Sequence, residues 1–165
     1  MSGYYPEGYT PPQNESDSYF KPKAGTHKLR IIGRPEFYFV GWSEQNGTRK
    51  AHRARTPDPS IQVDKWQNAE ACMVYNYDLK KLQLWEITQA TLREKIFSLA
   101  TDADFGDPTT YDIKVERKGE GLDTTYDIKA LSKSEPSRDI LDALKKVEGK
   151  VDFEGYLKGE QFFKP

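Results

Sequence analysis

Residues 26–43 (THKLRIIGRPEFYFVGWS) constrain the fold more than any other stretch of the chain. They are dense in β-branched and aromatic side chains, which suit a pleated, half-buried surface. Pro35 cannot donate to a ladder and marks an edge or a bend. The stretch therefore reads as a strand over 26–34 that bends and continues over 36–43. Asn46-Gly47 follows, a strong two-residue hairpin signal, with residues 48–55 (TRKAHRAR) as the returning arm. A chain that opens this way is committed to a mainly β fold.

The remaining elements extend that reading. Residues 69–78 (AEACMVYNYD) form another strand, and 81–87 (KLQLWEI) its hairpin partner. Trp85 and Cys72 belong to the core. Thr88 fits a helix N-cap, and Leu92, Ile96 and Leu99 recur at helical spacing within 89–100. Residues 111–118 and 123–131 alternate as strands around Gly119-Glu120-Gly121. A second amphipathic helix over 134–147 carries Ile140, Leu141, Leu144 and Val147 on one side. With 26–43 counted as one strand, the order is strand, strand, strand, helix, strand, strand. That is the order of the OB-fold, a five-stranded Greek-key barrel with a helix between strands three and four. The basic hairpin is an insertion between strands one and two. Three parts are expected: an acidic, Tyr/Pro-rich disordered tail over 1–18, the barrel over 19–131, and a C-terminal helix and tail over 132–165.

Aliphatic residues are scarce: 11 Leu, 8 Ile and 6 Val among 165 residues, against 10 Tyr, 8 Phe and 3 Trp. A polar chain this rich in rings needs a reason for keeping them. Net charge is -1, but it is segregated. Residues 21–60 hold nine of the bases against three acids, whereas residues 1–20 hold three acids and no Lys or Arg. A basic block in a neutral protein points to a local anionic partner.

Single-stranded nucleic acid is a line of phosphates with exposed base faces. Its binders combine cations along a groove with rings on which bases stack, each worth about 1–3 kcal/mol. Lys28, Arg30, Arg34, Arg49, Lys50, His52, Arg53 and Arg55 supply the cations. Arg49, Arg53 and Arg55 fall on one side of an extended arm, while Lys50 and His52 point the other way. Tyr38 and Trp42 share one face of the first strand, and Phe37 and Phe39 the other. The expectation is that the Phe pair packs inward and that Tyr38 and Trp42, with polar tips, face the groove. Tyr75 and Tyr77 are either stacking platforms or barrel-surface tyrosines, and Lys80 and Lys81 extend the cationic track.

Other chemistries lack their residues. One Cys and two His leave no disulfide framework, no Cys-rich zinc site and no nucleophilic triad. The Asp104-Phe105-Gly106 triplet has no phosphate loop beside it. Asp102, Asp104, Asp107 and Asp112 could hold a divalent cation, but their spacing matches no calcium loop. They motivate one rival, a metal-dependent nucleic-acid enzyme. An RNA-binding OB protein and a protein-interaction module docking an acidic partner are the others. No apolar run approaches the roughly 20 residues of a membrane span, and the N-terminus lacks a secretory pattern, so a cytoplasmic protein is expected.

Several stretches resemble the single-stranded DNA-binding proteins of tailed phages. They are residues 21–31 (KPKAGTHKLRI), the run through Gly41-Trp42, and 48–55, then 74–78 (VYNYD) with 84–89 (LWEITQ). The series ends in 105–108 (FGDP), 111–113 (YDI) and 119–126 (GEGLDTTY). The resemblance covers about residues 21–130. It implies an OB-fold, no catalysis, no cofactor, and sequence-independent coating of single-stranded DNA in phage replication, recombination and repair, in the cytoplasm of an infected host. It also implies contacts with replication proteins through a tail. The zinc site of some relatives is not implied here. Residues 149–165 are neutral, so the acidic N-terminal tail is the alternative site for partner contact or self-masking.

Overall fold

The computed structural model describes residues 15–165. Most of the expected N-terminal tail lies outside the described residues; Glu15–Ser18 form a short 3-10 turn. Six strands build one open antiparallel sheet: β1 (Gly25–Gln45), β2 (Thr48–Ala54), β3 (Gln67–Asn76), β4 (Lys81–Ile87), β5 (Tyr111–Lys118) and β6 (Thr125–Lys133). The order is β4-β3-β1-β5-β6, with β2 also paired to β1.

The long first strand is the spine. Its early half pairs with β5, Gly25 opposite Arg117 through Arg30 opposite Asp112. Its late half pairs with β2, Phe39 opposite Ala54 through Gln45 opposite Thr48. β3 runs beside both halves, and its register shifts between Ile32 and Glu36. The irregularity falls where Gly33 takes φ +72 and Pro35 has no N–H to give. The hairpin tip is Asn46-Gly47, both at positive φ, as a tight two-residue turn requires.

The sheet buries both faces. On the inner face, alternate residues meet: Leu29 and Ile31, Cys72 and Val74, Trp85 and Ile87, Ile113 and Val115. Helix α1 (Ala90–Thr101) drops Leu92 into this core and lies against β6 and β4. Among the described strands no ladder joins β4 to β6. Phe20 closes the outer edge of β4: its N–H donates to the Leu84 carbonyl at 2.9 Å and its ring meets Trp85 edge-on. Each fully buried large side chain contributes about 1.5–3 kcal/mol. Burial, helped by the charge of Glu70, pushes the Cys72 thiol up to about 12.

The C-terminal region covers the outer face. Helix α2 (Arg138–Val147) is capped by Ser137 and packs Ile140 on Tyr75 and Leu82. Helix α3 (Phe153–Leu157) is capped by Asp152; Tyr156 and Phe162 pack against Tyr38, Val40 and Leu84. The periodic pattern over 134–147 thus yields a helix that begins at Arg138, and α3 has no counterpart in the sequence reading. Thr88 is not the N-cap of α1; Gln89 holds that position without a side-chain bond. Among the described residues no helix is long and apolar enough to cross a membrane.

Candidate nucleic-acid interface

Three residues expected to meet nucleic acid converge instead on Asp112. Arg30 is buried. It donates to the Thr109 carbonyl (3.1 and 2.9 Å), Asp112 Oδ1 (3.3 Å), Ser134 Oγ (3.1 Å) and the Ser134 carbonyl (2.6 Å). It pins the start of β5 to the end of β6 and has no donor fork left for phosphate. Tyr77 donates to Asp112 at 2.7 Å, and Lys28 sits 4.5 Å over the Tyr77 ring and 3.9 Å from Asp112 Oδ2. Burial, then the Asp112 hydrogen bond, raises the Tyr77 phenol above its usual range. Tyr75 is buried beneath α2, edge-on to Tyr77. Neither stacking platform nor surface ring describes it. Lys80 ends the β3–β4 turn and Lys81 opens β4, both beside α2.

A second cluster forms around Glu86 on β4. Tyr38 donates to Glu86 Oε2 at 2.6 Å and Tyr156 at 3.1 Å, while Arg53 grips both carboxylate oxygens at 2.6 and 3.1 Å. Arg53 also lies 4.4 Å over the Tyr156 ring. Burial alone would raise the Glu86 carboxyl, but Arg53 outweighs it and holds the group below the usual carboxylate range. Burial, then the charge of Glu86, drives Tyr38 far above the normal phenol range. Arg55 is shared between Glu36 (2.8 Å) and Glu154 of α3 (2.6 Å), and covers the Phe153 ring at 5.0 Å. The rail of guanidiniums is therefore divided. Arg53 and Arg55 tie the arm to the C-terminal region, and Arg49 remains at the surface.

The expected orientation of the first strand is reversed at Phe37 and Tyr38. Tyr38 and Val40 are buried, whereas Phe37 is 65% exposed. Residues 153–162 decide this by packing on the Tyr38 face. The Phe37–Phe39 face opens on a groove of about 1020 Å³ between the kinked half of β1, the start of β3 and α1. Phe97 of α1, 68% exposed, stands on its other wall. Arg34, Arg55 and Arg93 line it as well, and Asn68, Glu70 and Cys72 come from β3. Phe97, Arg93, Asn68 and Glu70 were not singled out by sequence. Glu70 was legible as the one acid on the face that also carries Cys72 and Val74.

Beyond the groove the arm carries the other expected residues. Trp42 is 37% exposed, with the Arg49 guanidinium 5.5 Å from its ring. Arg49 also lies 3.9 Å from Asp64, a pair open to solvent. Lys50 is exposed, and His52 shares a hydrogen bond with Ser43 Oγ at 2.7 Å. Opposed residues share a face, so Phe39, His52 and Lys50 lie on one side of the arm and Trp42 and Arg49 on the other. Val63 packs on Gly41; a Cβ on Gly41 would stand 2.7 Å from Val63.

The acidic residues of the loop after α1 do not converge. Asp102 caps the Asp104 and Phe105 N–H groups, Asp107 caps Thr109, and Asp112 belongs to the Arg30 cluster. Among the described residues no group of three His, Cys, Asp or Glu side chains could hold a metal ion. Compared with known proteins, the chain matches no protein-family model and no curated sequence.

Proposed function

We propose that this chain binds single-stranded DNA without cleaving it, with bases on the Phe37, Phe39 and Phe97 rings and backbone along Arg34, Arg93 and the surface cations of the arm. The observation that carries the reading is the pair of largely exposed phenyl rings facing one groove with guanidiniums beside them. In a chain so short of apolar residues, leaving such rings in water has a use when flat ligands cover them. The OB reading is supported by the pairing order. With β2 counted as an insertion, strands pair as β4-β3-β1-β5-β6 and α1 lies between the third and fourth, as in a partly open Greek-key barrel. The resemblance of residues 21–130 to phage single-stranded DNA-binding proteins points the same way and suggests a replicative role with partner proteins.

Titration with oligo-dT at two salt concentrations, followed by tryptophan emission, tests the reading. Trp85 is buried, so quenching would report Trp42 or Trp66. Binding that weakens with salt, with a log–log slope of about 0.7 per neutralised phosphate, is expected. No binding at low salt refutes the proposal, and a strong preference for oligo-U over oligo-dT transfers it to RNA.

A further inference from the structure

The groove holds polar groups that the protein itself leaves unsatisfied. Glu70 lies on β3 opposite Phe37, half-buried, and makes no hydrogen bond among the described residues. Burial raises its carboxyl, and the charge of Arg93 only partly opposes that. Arg93 Nε is buried and has no hydrogen-bond partner either. Asn68, opposite Phe39, brings an amide with no bonded partner among the described residues to the same lining. Arg93 Nε is sealed from water, so a ligand in the groove would meet the half-buried Glu70 carboxylate and the exposed Asn68 amide, neither of them hydrogen-bonded among the described residues. The walls beside them are Phe37, Phe39 and Phe97. The groove thus suits a flat π system with two adjacent N–H donors and a neighbouring acceptor.

Among the DNA bases, guanine has that edge. Its N1–H and N2–H groups can meet the two oxygens of Glu70, and its O6 can accept from Arg93 or Asn68. Adenine and cytosine offer one amino group beside an acceptor nitrogen. Thymine turns carbonyl oxygens toward the carboxylate. We propose that the groove is a guanine-preferring base site, so that binding along the strand is indifferent to sequence except at this one position. The inference rests on the reading that the chain binds single-stranded DNA.

Fluorescence anisotropy with the full chain tests it, using dT15 and the same oligomer with one central dG, dI, dA or dC. The dG oligomer should bind about tenfold tighter than dT15, as one good bidentate pair allows. The dI oligomer lacks only the N2 amino group and should keep about a third of that gain. Glu70→Gln should bring the dG-to-dT ratio close to one. Equal affinity for all five oligomers overturns the inference and leaves DNA binding standing. So does a dG preference undiminished by Glu70→Gln. No binding to any oligomer overturns both. The dG–dI comparison needs no variant, so the inference stays exposed even if Glu70→Gln fails to fold.

Discussion

Neutralising Glu86 should be among the costliest isosteric changes in this protein. In Glu86→Gln the amide keeps the shape of the carboxylate but loses the charge that two hydroxyls and one guanidinium share. The Arg53 and Glu86 side chains are 18% and 20% exposed, so water replaces little of what is lost. A hydrogen bond to a charged group is worth about 1.5–3 kcal/mol, and stranding one member of a buried pair costs about 3–5 kcal/mol. Gln still accepts one hydroxyl, which places the loss at about 2–3 kcal/mol. For a domain near this size that is a fall in Tm of about 4–12 °C. Urea melts across pH supply the sharper test. The Glu86 carboxyl is held below its usual range, so its contribution is full above the unfolded pKa and disappears as pH falls through the folded one. Wild type and Glu86→Gln should therefore differ at pH 7 and converge below about pH 4. A difference under about 0.5 kcal/mol at pH 7 would refute the network's importance. A gap that stays constant into acid would refute its electrostatic origin.

Changes at four further sites probe other parts of the structure. Arg30→Ala should cost about 3–5 kcal/mol in urea melts, and Arg30→Lys should restore little, because an ammonium cannot span Thr109, Asp112 and Ser134 together. Phe37→Ala and Phe97→Ala should leave stability within about 0.5 kcal/mol, since both rings face water. Each should weaken oligo-dT binding by about 1–3 kcal/mol with the salt slope intact; loss of fold instead would show the rings to be packing residues. Gly41→Ala drives a methyl into Val63 and should destabilise by about 1–3 kcal/mol, with Val63→Ala in the same chain recovering most of it. Failure of that rescue in thermal melts would mean the contact is not the cause.

Much of the sheet was legible because it depends on neighbours in sequence. Alternation places Leu29 with Ile31 and Cys72 with Val74, and Asn46-Gly47 forces a tight turn wherever the chain folds. The candidate site was less legible. Residues 37–42 carry aromatics on both faces, so a period of two cannot say which is core. The decision is made by Tyr156 and Phe162, more than a hundred positions away. Helix α3 spans five residues, too few for a hydrophobic period, and is recognisable only from its Asp152 cap. Arg30 looks like any strand cation until β5 and the Ser134 carbonyl are folded around it. Composition located the basic block, but only tertiary pairing separates its free charges from its bound ones.

The kink in β1 has a mechanical consequence. One continuous strand serves both ladders, so a load on the hairpin tip reaches the interior by lever action. The fulcrum is the stretch between Ile32 and Glu36, where the β3 register is broken. A sideways pull at Trp42 loads the outer half about that point, and the β3 ladder from Glu36 to Val40 resists it together with the Arg53 and Arg55 ion pairs to β4 and α3. The inner half, hydrogen-bonded to β5, is spared the torque.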